Sequence, residues 1–231
     1  KKVLFDEVHR VLNLIIPEHK KLQDASQIEV IVTPYAHPIL PLVYNSSLAA
    51  KGDPSAVLPL RFSWPNDAIA HVKKAVEVYT QHYGRAPRGM WPGEGSVGQD
   101  IVKMVADNGF RWMASGEQVL ARSIGRAGFT RSGRDVVNEA DDLYRPYYVQ
   151  HAGGPKVAVF FRDLRLSDLL GFEYSGTPGE AAADDFMARL EAIRAHLAEE
   201  GAAGPHVVSV ILDGENAWEN YPNDGIAFLN A

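Results

Sequence analysis

The sequence predicts an α/β protein of parallel strand–helix units, with a βα barrel favoured over an open doubly wound sheet. Two observations carry this. Short β-branched runs alternate several times with helical patterns. Two acidic turns, 91–96 and 212–219, each stand where an extended run ends. Active sites of βα barrels collect at that end of the strands.

Taken in order, the first twenty or so residues are apolar at helical spacing (Val3, Leu4, Phe5, Val8, Val11, Leu12). Residues 27–33 read as a buried strand that Pro34 ends, and a connection with Pro38, Pro41, Pro54 and Pro59 follows. A helix opens at Pro65, buries Ile69, Val72, Val76, Tyr79 and Tyr83, and stops at Gly84 before Pro87. An extended piece over 88–91 leads into the Glu94 turn. A helix over 96–107, a strand over 111–114 and a helix over 117–122 come next.

The stretch 125–143 is polar and Gly-rich and reads as a surface excursion. Extended runs over 144–150 and 157–161 flank Gly153-Gly154, a hairpin turn. Thr177-Pro178-Gly179-Glu180 reads as a capping box with Pro at the first helical position. It opens a helix to about residue 200, closed by Gly201 and Gly204-Pro205. A buried strand over 207–212 and a last helix over 224–230 complete the series. The chain is expected to be one truncated catalytic domain, 1–231, with both ends reading as cuts through a longer protein.

With 231 residues, 46% hydrophobic and 23% charged, the composition is that of a globular domain with a sizeable core. A net charge of −6 argues against a nucleic-acid or anionic-membrane partner, and an uncharged saccharide suits it. With no cysteine there is no disulfide, thiolate nucleophile or Cys-bound zinc, which favours a reducing cytoplasm. No run of about 18 apolar residues and no signal peptide are visible in the sequence.

Each acidic turn mixes a carboxylate with Gly and Trp, and cleavage of a sugar bond needs two carboxyl groups on opposite sides of it. Glu94 follows an extended piece and precedes a helix; it is either a nucleophile or a Glu that complements the helix dipole. Asp213 follows the 207–212 run. A carboxyl group at a buried strand end is desolvated, which favours the protonated form that a leaving sugar oxygen needs; the alternative is an Asx-turn aspartate. His37, after the first strand, suits a sugar hydroxyl or a structural hydrogen bond. Asp163 either grips a sugar hydroxyl or pairs with Arg162. Trp91 and Trp218 lie beside the two acids and are expected as platforms for sugar rings, whereas Trp64 and Trp112 are expected in packing. No two of the eight histidines stand three or four residues apart, so neither a metal nor another cofactor is predicted. Ser96 lacks a G-x-S-x-G context.

Four blocks in order resemble glycoside hydrolase family 57, which holds α-amylases, amylopullulanases, branching enzymes and glucanotransferases. They are Glu29-Val30-Ile31-Val32-Thr33-Pro34-Tyr35-Ala36-His37-Pro38-Ile39, Gly89-Met90-Trp91-Pro92-Gly93-Glu94-Gly95-Ser96-Val97, the run from Phe161-Arg162-Asp163 through Ser167-Asp168 to Gly171-Phe172, and Asp213-Gly214-Glu215-Asn216-Ala217-Trp218-Glu219. The resemblance implies a partial (β/α)7-type barrel of parallel strands and a retaining reaction on an α-glucan without a cofactor. It implies Glu94 as nucleophile, Asp213 as general acid/base and His37 on the active-site wall. Such a reaction wants the two carboxyl groups about 5–5.5 Å apart. The family's opening His-Gln-Pro block is absent, since the first histidine is His9 in a predicted helix. The first barrel strand therefore reads as missing, as does the family's C-terminal helical segment. Hydrolysis and transfer use the same acids, so a 4-α-glucanotransferase or branching enzyme is the alternative. A non-catalytic glycan-binding remnant is a further one, and histidine spacing argues against a metal-dependent carbohydrate deacetylase.

Overall fold

The computed structural model describes residues 1–151 and 153–231. The chain divides into two compact units, 1–113 with 148–158, and 114–147 with 159–231. Four strands, β1 (Gly89–Met90), β2 (Trp112–Gly116), β3 (Tyr147–Gln150) and β4 (Lys156–Arg162), form one sheet in the order β1-β2-β4-β3. The protein is thus α/β, as expected, and β1 and β2 run parallel with Gly89 opposite Trp112 and Met90 opposite Met113.

The first unit holds α1 (Lys2–Asp24), α2 (Leu40–Tyr44), α3 (Ala49–Gly52), α4 (Pro65–Tyr83) and α5 (Gln99–Asp107). Helix α4 has the predicted bounds: Pro65 stands at its start, and Gly84 (φ 73°) ends it in the left-handed conformation. Its buried face is Ala68, Val72, Ala75 and Tyr79, with Ile69, Val76 and Tyr83 half-buried beside it. Leu40, Val72, Met90, Ile101, Val105 and Met113 are at the centre of this unit's core. Helix α1 is present, but its apolar side chains Val3, Leu4, Phe5 and Leu12 are exposed, and its one buried residue is Gln23.

The 27–33 strand is not built as expected. Only Val32 pairs, in a parallel bridge to Met90 with bonds from its N–H to the Gly89 carbonyl (3.3 Å) and from the Trp91 N–H to its own carbonyl (3.2 Å). Two residues earlier, side chains replace the ladder. The Val30 N–H donates to Gln23 Oε1 (2.9 Å), and the Tyr79 hydroxyl donates to the Val30 carbonyl (2.8 Å). Groups from α1 and α4 thus satisfy backbone that a neighbouring strand would otherwise have satisfied. Trp64, expected in packing, is exposed with Phe62 beside it. The Trp112 indole N–H donates to Glu29 Oε1 (3.1 Å).

The second unit holds α6 (Glu117–Ser123), α7 (Ala140–Leu143), α8 (Leu164–Asp168), α9 (Gly179–Glu199) and α10 (Ile226–Asn230), with α10 against α9. The 125–143 stretch is a surface excursion only in part. It folds back through an antiparallel bridge between Arg131 and Val137 and buries Val136, Val137, Ala140 and Leu143. The capping box before α9 does not form, because Pro178 itself occupies the N-cap position with extended ψ (132°) and Thr177 makes no cap bond. The 207–212 run is extended, but it forms one parallel bridge, between Ser209 and Arg162, and no full strand, and its Val207 N–H donates to the Tyr144 carbonyl (2.8 Å). Tyr174, Phe186, Trp218, Tyr221 and Phe228 form an aromatic cluster. Among the described residues, no helix is long and apolar enough to cross a membrane.

Candidate active site

In the first unit, β1 runs straight into the Glu94 turn. Pro92 is extended, and Glu94 (φ 55°, ψ 25°) and Gly95 (φ 63°) are then both left-handed. The turn is closed by bonds from the Gly95 N–H to the Pro92 carbonyl (2.8 Å) and from the Ser96 N–H to the Gly93 carbonyl (3.0 Å). This geometry buries Gly93 and Gly95 and turns the Glu94 side chain outward, where it is 70% exposed.

Sequence makes this possible at two positions. A Cβ on Gly93 would lie 2.6 Å from the Pro38 carbonyl oxygen, so only glycine lets the turn touch the His37-Pro38 backbone. A Cβ on Gly95 would lie 2.9 Å from Trp91 Cη2, which places the indole over that residue and leaves Trp91 half-buried.

His37 belongs to a second strained turn. Ala36 (φ 60°) and His37 (φ 53°) are both left-handed, and the His37 N–H donates to the Pro34 carbonyl (2.9 Å). Tyr35, just before, is tied to α4 by its N–H to the His71 carbonyl (3.2 Å) and its own carbonyl to His71 Nδ1. The result brings His37 Nε2 to 3.9 Å from Glu94 Oε1. Left-handed backbone costs an L-residue roughly 1–3 kcal/mol and clusters at functional sites. Three such residues, Ala36, His37 and Glu94, meet here. Glu94 is not a first-turn helix acid; that position in α5 belongs to Asp100.

The second unit carries Asp213, Asp163 and Trp218. Asp213 is exposed rather than set at a buried strand end. Its carbonyl accepts from the Asn216 N–H (3.0 Å), and its Oδ2 accepts from Asn216 Nδ2 (3.3 Å), a side-chain contact rather than an Asx-turn bond. Trp218 is half-buried against Tyr221 (5.4 Å between centroids) and Phe228 (5.8 Å).

Asp163 is 0% exposed. Its Oδ1 accepts from the Leu166 N–H (2.9 Å) and so caps α8. Its Oδ2 accepts from the Tyr144 hydroxyl (2.6 Å) and from Arg131 Nη1 (3.1 Å). The pairing with Arg162, one of the two readings that the sequence leaves open, gives way to this set, and both oxygens are engaged inside the unit. Arg131 Nη2 also donates to Glu117 Oε2 (2.5 Å), which accepts from the Leu164 N–H (2.9 Å) as well. Burial works against the Arg131 charge, but Asp163 and Glu117 together outweigh it and hold the guanidinium above its ordinary pKa. Burial, then Asp163, pushes the Tyr144 phenol up, so it stays a donor.

The structure therefore gathers His37, Trp91 and Glu94 at one turn system of the first unit. Asp213 and Trp218 lie on one loop of the second unit, and Asp163 is buried in that same unit. Sequence reasoning missed Glu117, Arg131 and Tyr144. Strand parity held one clue: Val157, Val159, Phe161 and Asp163 alternate in β4 and its cap, and all four are buried. Among the described residues, no three His, Asp or Glu side chains are grouped to hold a metal ion.

The model of glycosyl hydrolase family 57 matches residues 2–231. The chain is similar in structure to an α-amylase from Thermotoga maritima (TM-score 0.67, 16% identity, 96% of this chain and 48% of that chain). It is likewise similar to a family 57-type branching enzyme from Pyrococcus horikoshii (TM-score 0.64, 15% identity, 99% and 45%) and to one from Thermococcus kodakaraensis (TM-score 0.64, 18% identity, 99% and 48%). At these identities the likeness is one of fold. The chain spans less than half the length of each of these three structures. No curated protein matches it.

Proposed function

The chain belongs to glycosyl hydrolase family 57, and from that membership we propose that it carries the catalytic residues of a retaining enzyme acting on the α-1,4 or α-1,6 bonds of an α-glucan. Glu94 is the nucleophile and Asp213 the general acid/base. In the first step a Glu94 oxygen bonds to the anomeric carbon while Asp213 gives its proton to the departing glycosidic oxygen. In the second step Asp213 takes a proton from water or from an acceptor hydroxyl, whose oxygen attacks the anomeric carbon and frees Glu94. The two carboxyl groups supply the nucleophile and the proton transfers. In this reading the sheet is part of the family's incomplete (β/α)7 barrel.

The observation that carries the reading is the Glu94 turn itself. An exposed carboxylate stands on strained backbone, 3.9 Å from an imidazole that is strained in the same way. His37 orients the carboxylate, and the free faces of Trp91 and Trp218 take the apolar faces of sugar rings. Asp163 acts indirectly, through the fold of its unit. Hydrolysis and transfer differ only in whether water or a sugar hydroxyl completes the second step. The similar structures, an α-amylase and branching enzymes, include both kinds of protein.

Glu94→Gln is the test. The variant is expected to keep the wild-type circular dichroism and unfolding midpoint while turnover of a maltooligosaccharide falls by roughly 10³-fold or more. Wild-type turnover in that variant overturns the assignment.

A further inference from the structure

We infer that Ser167, a buried residue with no place in the chemistry above, is a positioning residue for Asp213; this rests on the reading of Asp213 as the acid/base. Ser167 is 2% exposed. Its role follows from how β4 ends. Arg162 bridges Ser209 in parallel, and the Asp163 N–H donates to the Ser209 carbonyl (2.8 Å). The next bond of a parallel ladder would run from the Ile211 N–H to the Asp163 carbonyl. That carbonyl has already turned into α8, where it accepts from the Ser167 N–H (3.1 Å).

The Ser167 hydroxyl fills the gap. Its Oγ donates to the Asp163 carbonyl (2.7 Å) and accepts from the Ile211 N–H (3.2 Å). One hydroxyl thus inserts into the ladder and holds the segment two residues before Asp213. Arg162 Nη1 adds a long bond to the Ile211 carbonyl (3.4 Å). Beyond it, Leu212 and Asn216 both approach Gly171, where a Cβ would lie 3.6 Å from a Leu212 methyl carbon and 3.5 Å from the Asn216 carbonyl oxygen. Asp213 is therefore exposed, yet its backbone is held on both sides. A group that must give up and regain a proton at a fixed place needs such an anchor.

Ser167→Ala removes the link and leaves the half-buried Ile211 N–H without its partner. Two readouts are expected to change. Amide exchange in a peptide covering 207–216 quickens about tenfold or more, while the rest of the chain is unchanged. The kcat/KM of a maltooligosaccharide, whose leaving oxygen needs a proton in the first step, falls about tenfold at nearly constant KM. The kcat/KM of α-maltosyl fluoride, which reports the same first step with a leaving group that needs little protonation, stays close to wild type. Asp213→Ala sets the reference and is expected to show the same selectivity in a larger form.

Equal losses on both substrates, or unchanged exchange over 207–216, overturn the inference. An Asp213→Ala variant without the selectivity removes the acid/base reading and the inference with it; unchanged exchange in Ser167→Ala removes the clamp alone. Should Ser167→Ala melt outright, Ser167→Cys keeps the volume with a weaker acceptor. The same selective loss is expected there at smaller size, and a uniform loss overturns the inference.

Discussion

His37 and Glu94 stand 3.9 Å apart, each on left-handed backbone, with φ of 53° and 55°. Neither residue has glycine's freedom, so the contact is held against local strain by the packing of two turns. Gly93 against Pro38 and Tyr35 against His71 are the contacts that hold it. A site maintained at a cost in stability separates stability from activity under mutation.

Glu94→Gly makes that separation visible. Glycine adopts the φ of 55° without strain. After its extra entropy in the unfolded chain is offset, the variant is expected to be more stable by about 0.5–1 kcal/mol while losing turnover. Urea unfolding alongside a rate assay checks both. A variant less stable than wild type contradicts the strain argument.

Gly93→Ala acts in the opposite direction. Its Cβ would stand 2.6 Å from the Pro38 carbonyl oxygen, a backbone atom that moves only with the His37 turn. The expected cost is roughly 1–3 kcal/mol, together with lost activity. Gly98→Ala, where a Cβ meets nothing within 4 Å, is the control and is expected to change little.

The buried network of the second unit ranks far above any surface pair. Asp163→Ala leaves Arg131, only 18% exposed, with Glu117 alone for its charge. It also strips the cap from α8. The expected loss is about 3–5 kcal/mol. Lys51→Ala breaks the exposed pair to Asp100 and is expected to cost under about 1 kcal/mol. Denaturant midpoints of the two variants decide the ranking.

Stability should fall at both pH extremes. The Arg165 bond, then Arg189, holds Asp135 below the usual carboxylate range against some burial; Tyr174, then Arg189, does the same for Asp185; Arg145, then His206, for Asp141. A depressed carboxylate contributes fully above its unfolded value of about 3.9 and loses that contribution as pH falls through the folded value. Burial, then Asp185, raises the Tyr174 phenol, so its contribution is full below about 10 and is lost as pH rises beyond that. The Tyr174–Asp185 bond is one interaction seen from both partners. Unfolding midpoints are therefore expected to be level between about pH 5 and 9 and to drop on either side. A drop beginning near pH 7 would contradict this.

Local chemistry explains what was legible in the sequence. Helix α4 was legible because Pro65 and Gly84 act at single positions, whatever surrounds them. The Glu94 turn was legible because Gly93 and Gly95 flank it. The 27–33 and 207–212 runs show the limit of this approach. Their β-branched residues encode extended backbone, but the partners are a glutamine, a tyrosine and a serine hydroxyl rather than full neighbouring strands. The 125–143 stretch misled because its charge points inward: Arg131 looks like a solvated cation in sequence and is the hub of the Glu117–Asp163 network. Residue type also failed for Trp64, which was expected in packing but is exposed. The distant residues that cover a side chain, or leave it open, are invisible to local pattern.

The central claim is that Glu94 forms a covalent bond to sugar. It is tested most directly by incubating the protein with a 5-fluoro-α-glucosyl fluoride, digesting it, and locating the added mass by tandem mass spectrometry. The account predicts a single fluoroglucosyl adduct on Glu94, lost in Glu94→Gln and longer-lived in Asp213→Ala, whose second step lacks its base. An adduct on another carboxylate, or steady turnover of the reagent with none trapped on Glu94, would contradict it.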